Sequence, residues 1–409
     1  MAFLYVNTKG TPWRKHSYSA GLDFDLSPYK YFLRRVQGWK EKDNQAKFLF
    51  GKAIESAVQF YHEHDGKGIR EEFQRLWGQH KDRSDLHYTK VERDWDTLHL
   101  DGDELLRLYV IRQPSLPIPL GERSVFQHEI SKEVFPGDPN YGEIQDAGKL
   151  DIIVWADPNH PMLPKLDWKP EMGMYRQLIV DMKTTAKNFP QEAGIAAFDD
   201  QLKRYSWQSN IHDVALLAFV KAGRTLKKGV SVTLLEDVWD YNPFEDETVV
   251  CARAGQERVV AAVEGDMVRL VSNDWMLEEM DRAQGEKNGK TDQTNAAKAR
   301  AKEWLKGNSI LVRNTAITRQ RLQFNAGFVT TENQQDAGQA CANQIVGIVN
   351  SWRTKKWPNK FGIRFPHDNL HDPYFRAFIL KDEAFKKENF VKSDEETIDD
   401  LFAEEIEDE

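Results

Sequence analysis

The chain has 409 residues, 40% of them hydrophobic and 30% charged, with a mean hydropathy of −0.65. That length can bury a substantial core, as one large α/β domain with insertions or as two domains. No stretch approaches the ~20 apolar residues of a membrane span, and Met1–Tyr5 does not open a signal peptide, so a cytoplasmic, membrane-free protein is expected. Cys251 and Cys341 are far apart and lack CxxC spacing, which excludes a disulfide framework and a cysteine-only zinc or iron–sulfur site.

The net charge of −9 is unevenly distributed. Residues 391–409 hold ten acids against Lys392, so residues 1–390 sum to zero. Binding to a polyanion then depends on local basic patches and metal ions, not on the field of the whole molecule. The tail, with Ile398, Leu401, Phe402 and Ile406 among its acids, reads as a disordered segment: a solubilising tail, a peptide for a basic protein partner, or a cover over the chain's own groove.

In chain order, residues 1–16 carry Lys9, Arg14, Lys15 and His16, and Ser17–Arg35 reads as a short segment followed by a helix started at Pro28. From Ala46 to His64, Phe50, Ala53, Ile54, Ala57, Val58 and Tyr61 recur at helical spacing, with Gly51 allowing close packing. Residues 65–120 are helical and end at the proline-rich break 114–119. Val125–Ile130 reads as a strand, a turn follows at 136–140, and Gly148–Trp155 forms a second strand. A long hairpin-like connection leads to Arg176–Val180. A helix through Gln201–Asn210 follows, and then an apolar run, Val214–Val220, that reads as a strand or a buried helix end. Residues 240–310 are polar and charged, with Gly285–Asp292 flexible between helices. Strand-like Ile310–Val312 and Arg321–Phe324 precede a helix from Asn333 to Trp352.

One strand has an ending that a core strand does not need. Arg176–Val180 runs directly into Asp181, Met182, Lys183, Thr184 and Thr185. Alternation puts Asp181 and Lys183 on one face, and the neighbouring strand carries Asp151. Two carboxylates beside a lysine suit magnesium or manganese, which can orient water and neutralise charge on a phosphoryl group. The chemistry that fits is phosphodiester hydrolysis. Glu55, one position past Ile54, reads either as a solvated helix residue or as a third metal carboxylate.

These stretches resemble the RecB-like branch of the PD-(D/E)xK nuclease superfamily, which includes recombination exonucleases and CRISPR-associated nucleases. The family's ordered pattern is a helix with G-x-x-x-H/E, a strand with G-x-x-D, a strand ending D-x-K and a helix with Q-x-x-x-Y. This chain has Gly51 to Glu55, Gly148 to Asp151, Asp181 to Lys183 and Gln201 to Tyr205 in that order, within residues 17–220.

The resemblance implies an α/β, restriction-endonuclease-like core, a central mixed β-sheet flanked by helices, with a helical N-terminal part and an insertion. It implies a Mg²⁺- or Mn²⁺-dependent deoxyribonuclease, more an exonuclease than an endonuclease, from a bacterial or phage-infected cell. Glu55, Asp151, Asp181 and the Met182 carbonyl would hold metal, with Asp151, Asp181 and Lys183 catalytic. Gln201 and Tyr205 would shape the site and touch DNA, together with Thr184, Lys203 and Arg204. The implied division is 1–120 as a helical region with the first motif, 121–239 as the nuclease core, 240–310 as a partly flexible helical insertion, 311–390 as the closing part and 391–409 as the tail.

Relatives that carry an iron–sulfur cluster hold it with cysteines at positions where this chain has Ser27-Pro28-Tyr29 and Phe365-Pro366, so no cluster is expected. Packing among Tyr29, Tyr31, Phe32, Trp352, Trp357, Phe365, Tyr374 and Phe375 is expected to join the chain ends instead.

Other candidates are weaker. His62 and His64 lack a third zinc ligand at fixed spacing. Asp146 competes with Asp151, and Glu129 and Glu143 are near the active strands. Lys203, Arg204 and Trp207 form either a cation–aromatic face for DNA or an ordinary helix surface. Lys221, Arg224, Lys227 and Lys228 make another basic patch. The rival readings are a structure-specific or nicking endonuclease and a catalytically inactive DNA-binding adaptor. No phosphate-binding loop of the helicase type is present, so any ATP-driven motor is a separate chain.

Overall fold

A computed structural model describes residues 14–392, apart from 43–44, 89–93, 142–143, 167–168, 170–172, 191, 193, 243–246, 288–289, 292–293 and 361–371. Lys9, Glu143, Phe365, Pro366 and the acidic tail beyond Lys392 lie outside the described residues.

The described residues open with β1 (Lys15–His16), α1 (Tyr18–Leu26), α2 (Pro28–Tyr31) and β2 (Trp39–Glu41), followed by α3 (Ala46–Glu63), α4 (Ile69–Gly78) and α5 (Trp95–Arg112). Strands β3 (Ser124–Glu133), β4 (Gln145–Ala156) and β5 (Arg176–Thr185) come next, then α6 (Asp200–Ser209) and β6 (Asp213–Val220). Beyond these lie β7 (Ser231–Leu234), β8 (Val238–Asn242), β9 (Glu247–Ala252), β10 (Glu257–Glu264), β11 (Met267–Val271), α7 (Asp274–Gln284), β12 (Glu286–Lys287), β13 (Lys290–Thr291) and α8 (Asn295–Asn308). The last elements among the described residues are β14 (Ile310–Arg313), β15 (Ile317–Thr318), β16 (Arg321–Phe328), α9 (Thr331–Thr354), α10 (Glu383–Asn389) and β17 (Phe390–Lys392).

The central sheet is mixed and six-stranded, ordered β1-β4-β5-β6-β16, with β3 on the other edge of β4. Both β1 on β4 and β5 on β6 are parallel, while β3 on β4, β4 on β5 and β16 on β6 are antiparallel. Every residue of β6 is buried, which explains its unbroken apolar sequence: a central strand covered on both faces has no solvent side to alternate with.

Helices cover both faces. The stripe Leu49, Phe50, Ala53, Ile54, Ala57, Val58 and Tyr61 of α3 packs with Phe73, Trp77, Leu105 and Tyr109 onto Ile152, Val154, Leu178, Val180 and Met182. On the other face, Leu202 and Tyr205 of α6 meet Ile153, Ile179, Val214 and Leu216. Successive residues of β4 and β5 thus enter opposite cores, as the two-residue strand period requires. The starts of β5 and β6 are joined by a buried ion pair between Arg176 and Asp213.

The reading of 240–310 as a helical insertion is corrected. Strands β10 and β11 of this range are central to a five-stranded sheet, β14-β11-β10-β7-β15, and among its described residues only α7 and α8 are helical. Glu257–Glu264 carries an unbroken apolar run, 259–263, because one face buries Val259 and Ala261 under the helices and the other buries Val260 with Val268 and Leu270, so no alternation marks it as a strand. Ile310–Val312 belongs to this second sheet, whereas Arg321–Phe328 returns to the edge of the first.

Aromatic side chains of the early segment 29–33 do meet those of the late segment 352–390. Trp357 stacks on Tyr31 and Phe32 at 5.8 and 5.4 Å between centroids, and Trp352 meets it edge-on at 5.6 Å. Tyr374, with Tyr29 and Phe375 nearby, packs in the cluster of Leu33 and Phe390. Among the described residues no helix is long and apolar enough to cross a membrane.

Candidate active site

The site forms where the central sheet forks. Strands β4 and β5 pair from Ala156↔Arg176 to Ile152↔Val180 and then part, while β5 continues along β6 from Asp181↔Leu216 to Thr185↔Val220. The next opposed pair would be Asp151 and Asp181, so the fork opens at these two acids. The gap is bridged by a side chain: the Met182 amide donates to Asp151 Oδ2 at 2.7 Å.

Asp181 is buried, and Lys183 approaches it from two positions along the same strand, donating to Oδ1 at 2.9 Å and lying 2.7 Å from Oδ2. The geometry at Oδ2 does not meet a hydrogen bond, which leaves that buried oxygen with capacity for a further partner. Lys183 also donates to Gln201 Oε1 at 3.3 Å, and Gln201 Nε2 donates to the Tyr205 hydroxyl at 2.8 Å. The helical spacing of Gln201 and Tyr205 makes that relay possible, since residues four apart share a face. Asp199 caps α6 through the Leu202 amide at 3.0 Å and adds negative potential at Lys183 and Asp181.

Electrostatically the acids crowd each other. Burial raises Asp181 above the usual carboxylate range, Lys183 draws it back, and Asp151 raises it further. Burial and then Glu55 raise Asp151, against the Met182 amide. Burial works against the Lys183 ammonium, but Asp181 outweighs it and holds its pKa above the ordinary value, so Lys183 is charged beside Asp181. Burial also raises Glu55, a hydrogen bond from Gln127 lowers it, and Asp181 raises it. Carboxylates pushed up by burial and by one another are a setting that a divalent cation relieves.

Two motif glycines have local causes. A Cβ on Gly148 would lie 2.7 Å from Tyr205 Cε1, so only glycine lets that ring cross β4. A Cβ on Gly51 would lie 3.1 Å from Thr184 Oγ1, and its absence lets α3 approach the end of β5.

A cleft of about 790 Å³ leads to this point. Its walls include Glu55, Lys183 and Thr184 together with the cations Arg34, Lys40, Lys42, Lys47 and Lys52 and the exposed ring of Phe48. Sequence reading missed these lysines, although Lys47 and Lys52 flank the Gly51 motif. It also missed Asp199, whose place just before the Gln201 helix marked it as a cap, and Gln127, the partner of Glu55.

Not every expected residue joins the site. Glu55, Asp151 and Asp181 do not bring three ligand atoms within 4.8 Å of one another; among the described residues the trio that does is His16, Asp146 and Cys341, with a nitrogen, an oxygen and a sulfur. That trio is filled by Arg204. Its guanidinium bonds both oxygens of Asp146, donates to Gln344 at 2.9 Å and to Cys341 Sγ at 3.2 Å, while Gln208 adds a 2.7 Å bond to Asp146. A cation already occupies this place, so it is a structural pin and not a metal centre. Arg204 is only 4% exposed, which corrects its reading as a DNA contact and removes Asp146 as a rival ligand.

Lys203 pairs with Asp200 at 2.5 Å within its own helix, and Trp207 is engaged by Lys132, whose ammonium lies 4.7 Å from the ring. The patch at 221–228 is reduced: Arg224 pairs with Asp101 and Glu104, Lys228 pairs with Asp281, and Lys221 is buried. His62 is a core residue between the Pro119 carbonyl and the Tyr109 hydroxyl, and Glu129 is exposed.

No protein-family model matches the chain, and no curated protein matches it. A solved structure titled "Crystal structure of SSO0001" aligns with 51% of this chain and 74% of its own, at 12% identity and a TM-score of 0.17, a likeness that carries no argument.

Proposed function

We propose that the chain is a metal-dependent nuclease, with a restriction-endonuclease-like core, that hydrolyses phosphodiester bonds in DNA. The observation that carries the reading is the fork itself: Asp151, Asp181 and Lys183 meet where β4 leaves β5, with the Gln201–Tyr205 relay on Lys183. The lysines lining the cleft, Lys40, Lys42, Lys47 and Lys52, suit a polyanionic strand, whereas Arg34 is engaged by Asp23.

By the chemistry of its donors the site fits a hard cation, with Glu55 standing farther off on the facing helix. Asp151, Asp181 with its spare Oδ2, Glu55 and the Met182 carbonyl are all oxygen donors, which suits Mg²⁺ or Mn²⁺. Bound there, the metal supplies a Lewis acid and lowers the pKa of a coordinated water. The protein's own contribution is orientation and charge. Lys183, fixed by Gln201 and charged at neutral pH, offsets negative charge as it builds on the phosphoryl oxygens. Tyr205 holds Gln201, and Gly148 makes room for Tyr205. The mode that the resemblance implies is exonucleolytic, which requires a free end.

The test is cleavage of end-labelled linear DNA and covalently closed circles, single- and double-stranded, in Mg²⁺, Mn²⁺ or EDTA. Metal-dependent loss of linear DNA, abolished in folded Asp181→Ala and Lys183→Ala, supports a nuclease, and intact circles make it end-dependent. If the wild type binds DNA but leaves every substrate whole with either metal, the chain is a nuclease-fold adaptor and the catalytic reading is wrong.

A further inference from the structure

We propose that Gln127 is the positioning residue for Glu55, and that its left-handed backbone exists to aim its side chain at that carboxylate. The inference rests on the reading of Glu55 as a metal ligand.

Strand β3 pairs with β4 at Phe126↔Ile152 and again at His128↔Leu150, and between them Gln127 stands opposite Asp151 without a ladder pairing. Its φ is +51°, inside the left-handed region. Asparagine, aspartate and glycine visit that region readily; glutamine in mid-strand does not. Departures of this kind are kept where the surroundings hold them, and they concentrate at functional sites. Here the irregularity coincides with a contact across elements: the Gln127 amide Nε2 donates to Glu55 Oε1 on α3.

The choice of side chain follows from charge. A carboxylate only accepts hydrogen bonds, so the amide must present its NH₂ group to it. A neutral donor fixes the orientation of Glu55 and leaves its negative charge available to a cation, whereas lysine or arginine would cancel that charge. Gln127 of β3 thus stands at the unpaired position opposite Asp151 and holds Glu55 by its side chain. Such outer partners of metal-binding carboxylates set affinity by holding their orientation.

The test separates backbone from side chain. Gln127→Gly relieves the left-handed conformation but removes the amide, while Gln127→Ala removes the amide and keeps the strain. Mn²⁺ binding to the full chain is measured by titration calorimetry, and thermal unfolding is followed in EDTA. We expect Gln127→Gly to melt at or above the wild-type temperature, yet to bind Mn²⁺ about 10–100-fold more weakly. The Mg²⁺ concentration for half-maximal cleavage should rise in step, with kcat restored at saturating metal. Because Gln127 acts through Glu55, Gln127→Gly combined with Glu55→Gln should bind no more weakly than Glu55→Gln alone.

Unchanged Mn²⁺ affinity in Gln127→Gly overturns the proposal, as does a lowered melting temperature in both variants with no change in affinity. Wild type that binds Mn²⁺ but cuts nothing sinks the nuclease reading and leaves the role of Gln127 standing. Equal affinities alongside normal cleavage do the reverse, and wild type that binds no Mn²⁺ overturns both.

Discussion

Replacing Arg204 by methionine removes the guanidinium that bonds both oxygens of Asp146, and with it the contacts to Gln344 and Cys341. Asp146 is fully buried and Arg204 only 4% exposed, so water cannot take the place of the lost partner. Gln208 keeps one bond to the stranded carboxylate, which does not neutralise its charge. Breaking a buried pair from one side costs about 3–5 kcal/mol, a large share of the roughly 5–15 kcal/mol that holds a typical protein folded. The damage should spread from α6 to β1 and α9, since Arg204 reaches Gln344 and His16 also touches Gln344 at 3.2 Å.

Urea unfolding followed by tryptophan fluorescence measures the loss, with DNA affinity taken by fluorescence anisotropy at a denaturant-free concentration. Arg204→Met with Asp146→Leu should recover most of the stability, because no unpaired charge then remains in the core. If Arg204→Met costs less than about 1 kcal/mol while DNA affinity falls tenfold, Arg204 works at the surface and the buried-pin argument is refuted.

Three other outcomes are expected. Gly148→Ala places a Cβ 2.7 Å from Tyr205 Cε1 and 3.0 Å from Gln208 Oε1, so stability should fall by about 1–3 kcal/mol in urea unfolding. Cleavage should fall with it as Tyr205 leaves Gln201, whereas Gly51→Ala, at 3.1 Å from Thr184 Oγ1, should be milder. Acid should destabilise the fold through two histidines. Burial lowers His62 to about 4 and His16 to about 3, so both are neutral when folded. Their contribution is complete above the unfolded pKa near 6.5 and is lost as pH falls through that value toward the folded ones, at up to ~1.4 kcal/mol per pH unit for each histidine. Unfolding free energy measured from pH 7 to 4 should therefore fall less steeply in His62→Gln than in wild type, and equal slopes would count against this. Lys47→Ala should weaken DNA binding uniformly across sequences and reduce the salt slope of log K by about one; an unchanged slope would mean that DNA does not follow this wall of the cleft.

What the sequence determined by itself is whatever depends on neighbours in the chain. Strand period put Asp181 and Lys183 on one face, helical spacing paired Gln201 with Tyr205, and the apolar stripe of Ala46–Glu63 announced a helix that packs on the sheet. Tertiary structure decided which polar side chains are buried and against what. Arg204 and Lys203 are adjacent in a helix, yet one is locked to an aspartate 58 positions away and the other stays on the surface. Arg224 lost its place in a basic patch to acids more than 100 residues earlier on α5. The second sheet was hidden because its strands alternate between two cores that only the assembled helices and strands create. Gln127 carried no local signal at all: its left-handed turn makes sense only once α3 brings Glu55 across from 72 positions away. The physical reason is common to these cases. Propensity and periodicity act over a few residues, whereas desolvation and pairing of charge act over ångströms, between groups that the chain brings together only by folding.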